Sequence, residues 1–126
     1  MEPTAPYAIV LCDDLLFSSR ITATARSLGA DMTTARSSSV LTQRAQERAP
    51  SLVIIDLANP GLNLPDLIAA CKADSKLPFL VAFGSHVDAA ALQAARAAGC
   101  DLVLPRSKFV EQLPEKLAAW LAGKAE

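Results

Sequence analysis

The sequence predicts an α/β fold in which a five-stranded parallel sheet carries helices on both faces. Three observations lead there. Short apolar runs alternate with amphipathic stretches five times between Tyr7 and Leu121. Most of those runs are continuously apolar, as expected of strands buried on both faces. Parallel neighbours need crossover helices, and strict strand–helix alternation supplies one at every step.

Composition fits this architecture. The 126 residues suit a single domain, 1–126, with its core at about 7–121. Hydrophobic residues make up 52% and aromatics 5%, so the core is aliphatic and alanine-rich. A net charge of −1 carries no bias toward nucleic acid or an anionic membrane. The three cysteines, Cys12, Cys71 and Cys100, show no C-x-x-C spacing and read as reduced thiols. The opening "MEPTAPYAIV" lacks the basic start and long apolar stretch of a signal peptide. No apolar run approaches the roughly 18 residues of a membrane helix. These features together predict a cytoplasmic protein without membrane or nucleic-acid contacts.

Tyr7–Cys12 reads as the first strand, with Asp13 or Asp14 placed to cap the helix that follows. Within Leu15–Leu28, Phe17, Ile21, Ala25 and Leu28 share one helical face, and Gly29 stops the helix. Asp31–Ala35 is a weaker, threonine-rich strand suited to a sheet edge. Ser37–Ser39 offer caps for a helix to about Arg48, closed by Pro50. Leu52–Ile55 is the clearest strand, rich in β-branched residues. "LANPGLNLP" is a loop, and a helix covers roughly Leu64–Ala73. Pro78–Phe83 is the fourth strand. Ser85-x-x-Asp88 reads as a capping box for a helix to Ala98, ended by Gly99. Leu102–Leu104 is the fifth strand. The last helix, about Lys108–Gly123, turns Val110, Leu113, Leu117 and Leu121 or Trp120 inward. Pro114 predicts a break there, either a single turn before it or a helix that starts with it. Trp120 could otherwise lie exposed.

In such sheets ligands bind at the carboxyl ends of the strands. The loops there hold Asp13 and Asp14, Asp56, Gly84 and Ser85, and Arg106. Three carboxylates at one sheet edge repel one another unless a cation or a proton offsets them. Hard carboxylate oxygens suit Mg²⁺, which takes a few carboxylates plus water. His86, the sole histidine, has no second histidine or cysteine at ligand spacing and reads as an exposed loop residue.

Taken together, these residues resemble the receiver domain of bacterial response regulators, a flavodoxin-like (βα)5 fold. The resemblance spans about Tyr7 to Leu121. It rests on the acidic pair Asp13–Asp14 with Arg20 nearby, on Asp56-x-x-x-Pro60, and on the alanine-rich "ARAAGCD" before the fifth strand. It implies a stand-alone phosphorelay receiver in a two-component system, not an enzyme in its own right. Asp56 would accept phosphoryl from a histidine kinase or phosphotransfer protein, with Mg²⁺ held by Asp13, Asp14 and Asp56. A downstream protein would dock on the face made by the fourth helix, fifth strand and fifth helix.

Two positions depart from the family pattern. Receivers carry a switch Thr or Ser at the end of the fourth strand, where this chain has Phe83 or Gly84, with Ser85 one place on. The family's Lys-Pro is here Arg106-Ser107, and arginine's planar fork is not equivalent to lysine. The alternative expectation is therefore a phosphorylation-independent pseudo-receiver that serves as a protein-binding module. Enzyme readings fail on motif grounds. A dehalogenase-type acid two residues after Asp56 is Ala58, and there is no G-x-G-x-x-G, G-x-x-x-x-G-K-[ST] or G-x-S-x-G.

Overall fold

Register and period two organise the molecule. The structure, a computed structural model, describes residues 6–72 and 78–125. β1 (Tyr7–Leu11) pairs in parallel with β2 (Asp31–Ala35) on one side and β3 (Leu52–Asp56) on the other. β4 (Phe79–Gly84) and β5 (Leu102–Pro105) extend the sheet beyond β3. The order is β2-β1-β3-β4-β5, all parallel, so the threonine-rich β2 is an edge as its sequence suggested. Five helices alternate with the strands: α1 (Leu15–Ser27), α2 (Ser38–Glu47), α3 (Leu64–Cys71), α4 (Ala89–Ala98) and α5 (Arg106–Leu121).

Successive strand residues point to opposite faces. Tyr7, Ile9, Leu11, Val53, Ile55, Leu80 and Ala82 join α2, α3 and α4 residues in one core. Ala8, Val10, Cys12, Leu52, Ile54, Val81 and Phe83 join α1 and α5 residues in the other. The second core contains the aromatic cluster. Phe83 stacks on Phe109 at 4.5 Å, Phe109 on Trp120 at 5.9 Å, and Phe17 leans on Phe83 at 5.3 Å.

Caps set where the helices begin. Asp14 caps α1 by accepting from the Phe17 N–H, Ser37 caps α2, and Asn63 caps α3. Asp14→Ala is expected to lower stability by about 1 kcal/mol, read as a lower midpoint in urea unfolding.

Three expectations are corrected. Ser85 does not cap α4: Asp88 does, through the Ala91 N–H, while the Ser85 hydroxyl accepts from the Val87 N–H in a local turn. The acid sits where the helix starts, and the serine is three residues too early. α5 begins at Arg106 and runs through Pro114 unbroken. An interior proline costs roughly 3 kcal/mol. Here Phe109, Leu113, Leu117 and Trp120 are buried on both sides of it, and that continuous apolar stripe holds the helix together. Trp120 is fully buried, at 0% exposure, because it closes that stripe. The final residue of the expected third helix, Ala73, lies outside the described residues.

Candidate functional site

The β1–β3 register sets Leu11 beside Ile55, so the next residues along, Cys12 and Asp56, are neighbours. The β3–β4 register sets Asp56 beside Phe83. Cys12, Asp56 and Phe83 thus form a row across the carboxyl ends of three strands, all on the α1/α5 face. Asp56 is 4% exposed and its oxygens have partners within the protein. Oδ1 accepts from the Ala58 N–H at 2.9 Å in a turn that starts the β3–α3 loop. Oδ2 lies 3.4 Å from the Cys12 Sγ and 3.8 Å from Arg106 Nη2, an ion pair with no direct hydrogen bond.

Arg106 begins α5 and turns its guanidinium inward. It lies over the Phe17 ring at 4.4 Å and near Phe83 at 5.9 Å. Arginine binds aromatic faces well, so two rings and a carboxylate fix this charge. Burial pushes the Cys12 thiol up to about 11, and the Asp56 charge adds to the effect. At neutral pH Cys12 is therefore a protonated donor to its neighbours.

The three predicted acids border one hollow of about 260 Å³ with Arg106, yet each is already engaged. Asp14 Oδ1 is taken by the α1 cap. Asp13 pairs with Arg36 at 3.0 Å on the surface. Among the described residues, no three His, Cys, Asp or Glu side chains are arranged to hold a metal. The donor chemistry agrees. The side chain beside Asp56 is a neutral thiol, a poor partner for a hard cation, and a fixed guanidinium already faces the carboxylate. The predicted set Asp13, Asp14 and Asp56 is brought to one hollow, but among the described residues it is not drawn together as a preformed cluster for the Mg²⁺ that the resemblance implied.

A larger cavity of about 640 Å³ opens beside Asp56 and Arg106, with Phe17, Arg20, Ser85 and His86 on its walls. Ser85 and His86 are both exposed there. The position beside Asp56 is Phe83, whose ring is fully buried and carries no hydroxyl. Gly84 has no side chain to offer one, and a Cβ there would meet Leu57 Cδ1 at 3.3 Å. The sequence reading missed Cys12, Arg36 and Asn59. Asn59 is 5% exposed and donates from Nδ2 to the Arg36 carbonyl, tying the β3–α3 loop to the end of β2. The in-register extension of β1 and β3 was the available signal for Cys12.

Comparison with known proteins places this geometry. A candidate response regulator from Chloroflexus aurantiacus J-10-fl superposes with a TM-score of 0.80 over 94% of this chain and 99% of its own, at 20% identity. The chain has the receiver-domain fold. The receiver domain of NtrX from Brucella abortus matches with a TM-score of 0.77, 19% identity, and coverage of 92% of this chain and 98% of that one. The chemotaxis response regulator CheY4 of Vibrio cholerae matches at 0.78 and 18% identity, over 93% of this chain and 99% of its own. No protein-family profile matches the chain. One stretch of 77 residues is 35% identical to part of the menaquinone reductase molybdopterin-binding-like subunit of Nitratidesulfovibrio vulgaris, covering 61% of this chain. The chain spans about 10% of the length of that curated relative. Among the described residues of this receiver fold, no helix is long and apolar enough to cross a membrane.

Proposed function

We propose that the chain is a receiver-fold signalling module that acts through protein contacts without taking up phosphoryl. One observation carries this reading. Asp56, the residue at the acceptor position, has both oxygens engaged inside the protein, and its neighbour on β4 is a buried phenylalanine. The family's switch uses a hydroxyl at the end of the fourth strand, and none stands beside Asp56 here. Phe83 is instead locked between Phe17 and Phe109. The face formed by α4, β5 and α5 is the surface we assign to a downstream protein partner.

A second reading keeps the chemistry. In it an Asp56 oxygen attacks phosphorus, the bond to the kinase or phosphotransfer donor breaks, and Arg106 neutralises charge on the moved group. The inward Arg106 guanidinium is the observation that favours it.

The two readings separate in one experiment. The protein is incubated with acetyl phosphate and Mg²⁺, and intact mass is compared with that of Asp56→Asn. The expected result is no phosphoryl adduct on either protein. An adduct on the wild type that Asp56→Asn abolishes would overturn the first reading and establish the second.

A further inference from the structure

We infer that the cavity bordered by α1, α5 and the β4–α4 loop is a non-covalent binding site for a small organic anion with an apolar, ring-sized body. The inference goes beyond the proposed function and does not depend on whether Asp56 takes up phosphoryl.

The cavity measures about 640 Å³, a volume typical of small-molecule sites in proteins. Phe17 from α1 and Val110 from α5 give it apolar surface, while Arg20, His86 and Ser107 bring hydrogen-bond donors. Among the described residues that line it, Asp56 is the only acid, and it already pairs with Arg106. Arg20 is thereby left over. It is exposed and makes no ion pair among the described residues. The amino end of α5 adds to this positive potential. Pro105 precedes it and no side chain caps it, so its first-turn N–H groups have no side-chain acceptor. Arg106 and Ser107, the first two residues of that turn, both line the cavity. An anion there would meet the positive end of a 16-residue helix and the unpaired Arg20 guanidinium. Its head therefore belongs between α1 and α5, away from the Asp56 carboxylate, which would repel it. A second hollow of about 30 Å³ runs on between the same two helices and shares Phe17, Arg20 and Val110 with the first. Ile21 and Leu113 continue its apolar wall. A cation set between apolar surfaces selects a ligand that carries both a negative head and a hydrophobic body.

The test is titration of the full, ¹⁵N-labelled chain by amide NMR in the presence of EDTA. Phenylphosphonate joins a ring to an anionic head through a P–C bond, so it cannot donate phosphoryl. It should give saturable shifts at millimolar concentration, largest at Phe17, Ser107 and Val110. Methylphosphonate has the head without the ring, and benzyl alcohol the ring without the head. Each should bind at least about tenfold more weakly, since half of the recognition is missing. Arg20→Gln, a change at an exposed position, should weaken phenylphosphonate by about tenfold, the scale of one charge-assisted hydrogen bond. Arg96→Gln, on the exposed side of α4 and outside the cavity, should bind as wild type does. No saturable shift with phenylphosphonate, or shifts centred away from α1 and α5, would overturn the inference. Equal affinity for methylphosphonate or benzyl alcohol would overturn it too, and so would an unchanged Arg20→Gln or an equal loss in Arg96→Gln. The wild-type comparisons stand even if a variant fails to fold. A phosphoryl adduct from acetyl phosphate would sink the proposed function and leave this site standing.

Discussion

Phe83→Thr, which returns a hydroxyl to the end of β4, is expected to destabilise the protein by about 3 kcal/mol or more. The ring is fully buried, stacks on Phe109 at 4.5 Å and touches Phe17 at 5.3 Å. Threonine leaves a cavity where that ring was. Position 83 lies beside Asp56 across the β3–β4 pair. Against a total stability of about 5–15 kcal/mol the loss is large. Urea unfolding should show a lower midpoint with an unchanged slope. Arg106 would lose one of its two aromatic supports as well, so its inward pose should loosen. A variant as stable as wild type would mean that the cluster does not hold this end of the sheet.

Trp120→Ala is expected to cost about 3–5 kcal/mol, the range for emptying a fully buried tryptophan site. Trp120 stacks on Phe109 at 5.9 Å and closes the α5 side of the core. Its indole Nε1 is buried without a hydrogen-bond partner among the described residues. Trp120→Phe keeps an aromatic ring on Phe109 and removes that orphaned donor. Its cost should therefore be about 1 kcal/mol or less, because part of the lost packing is offset. Comparing the two melting curves separates packing from polarity. Equal losses for the alanine and phenylalanine variants would contradict this account.

The fold was readable because its signals reinforce one another. Continuous apolar runs, glycine stops and strand–helix alternation all demand a parallel sheet. The site was only partly readable, for two physical reasons. First, Asp13 and Asp14 are adjacent acids in the sequence, yet their side chains have different duties. Asp14 caps α1, Asp13 faces Arg36 at the surface, and the residue that meets Asp56 is Cys12, one place earlier. Period two along β1 decides this, since a one-residue shift reverses the face. Second, motif spacing does not say which of two polar residues performs a task. Ser85 and Asp88 both can cap a helix, and the backbone selects Asp88. Pro114 shows the opposite limit. A strong local breaker is overridden when buried residues on either side of it share one core.

The strand order also constrains how the chain can assemble during synthesis. β1, β2 and β3 can complete their pairing once Asp56 has been made, and β4 and β5 then add in sequence to one edge. The two faces of the sheet are not covered at the same rate. α2, α3 and α4 seal one face as they emerge, whereas the other has only α1 until α5 arrives. Until that moment Phe83, Val81 and Ile54 lie uncovered on a nascent half-clad sheet, the kind of surface that drives aggregation and recruits chaperones. α5 therefore acts as the closing plate of assembly, and lesions in Phe109, Leu113, Leu117 or Trp120 should reduce the yield of folded chain more than they shorten the lifetime of the finished protein.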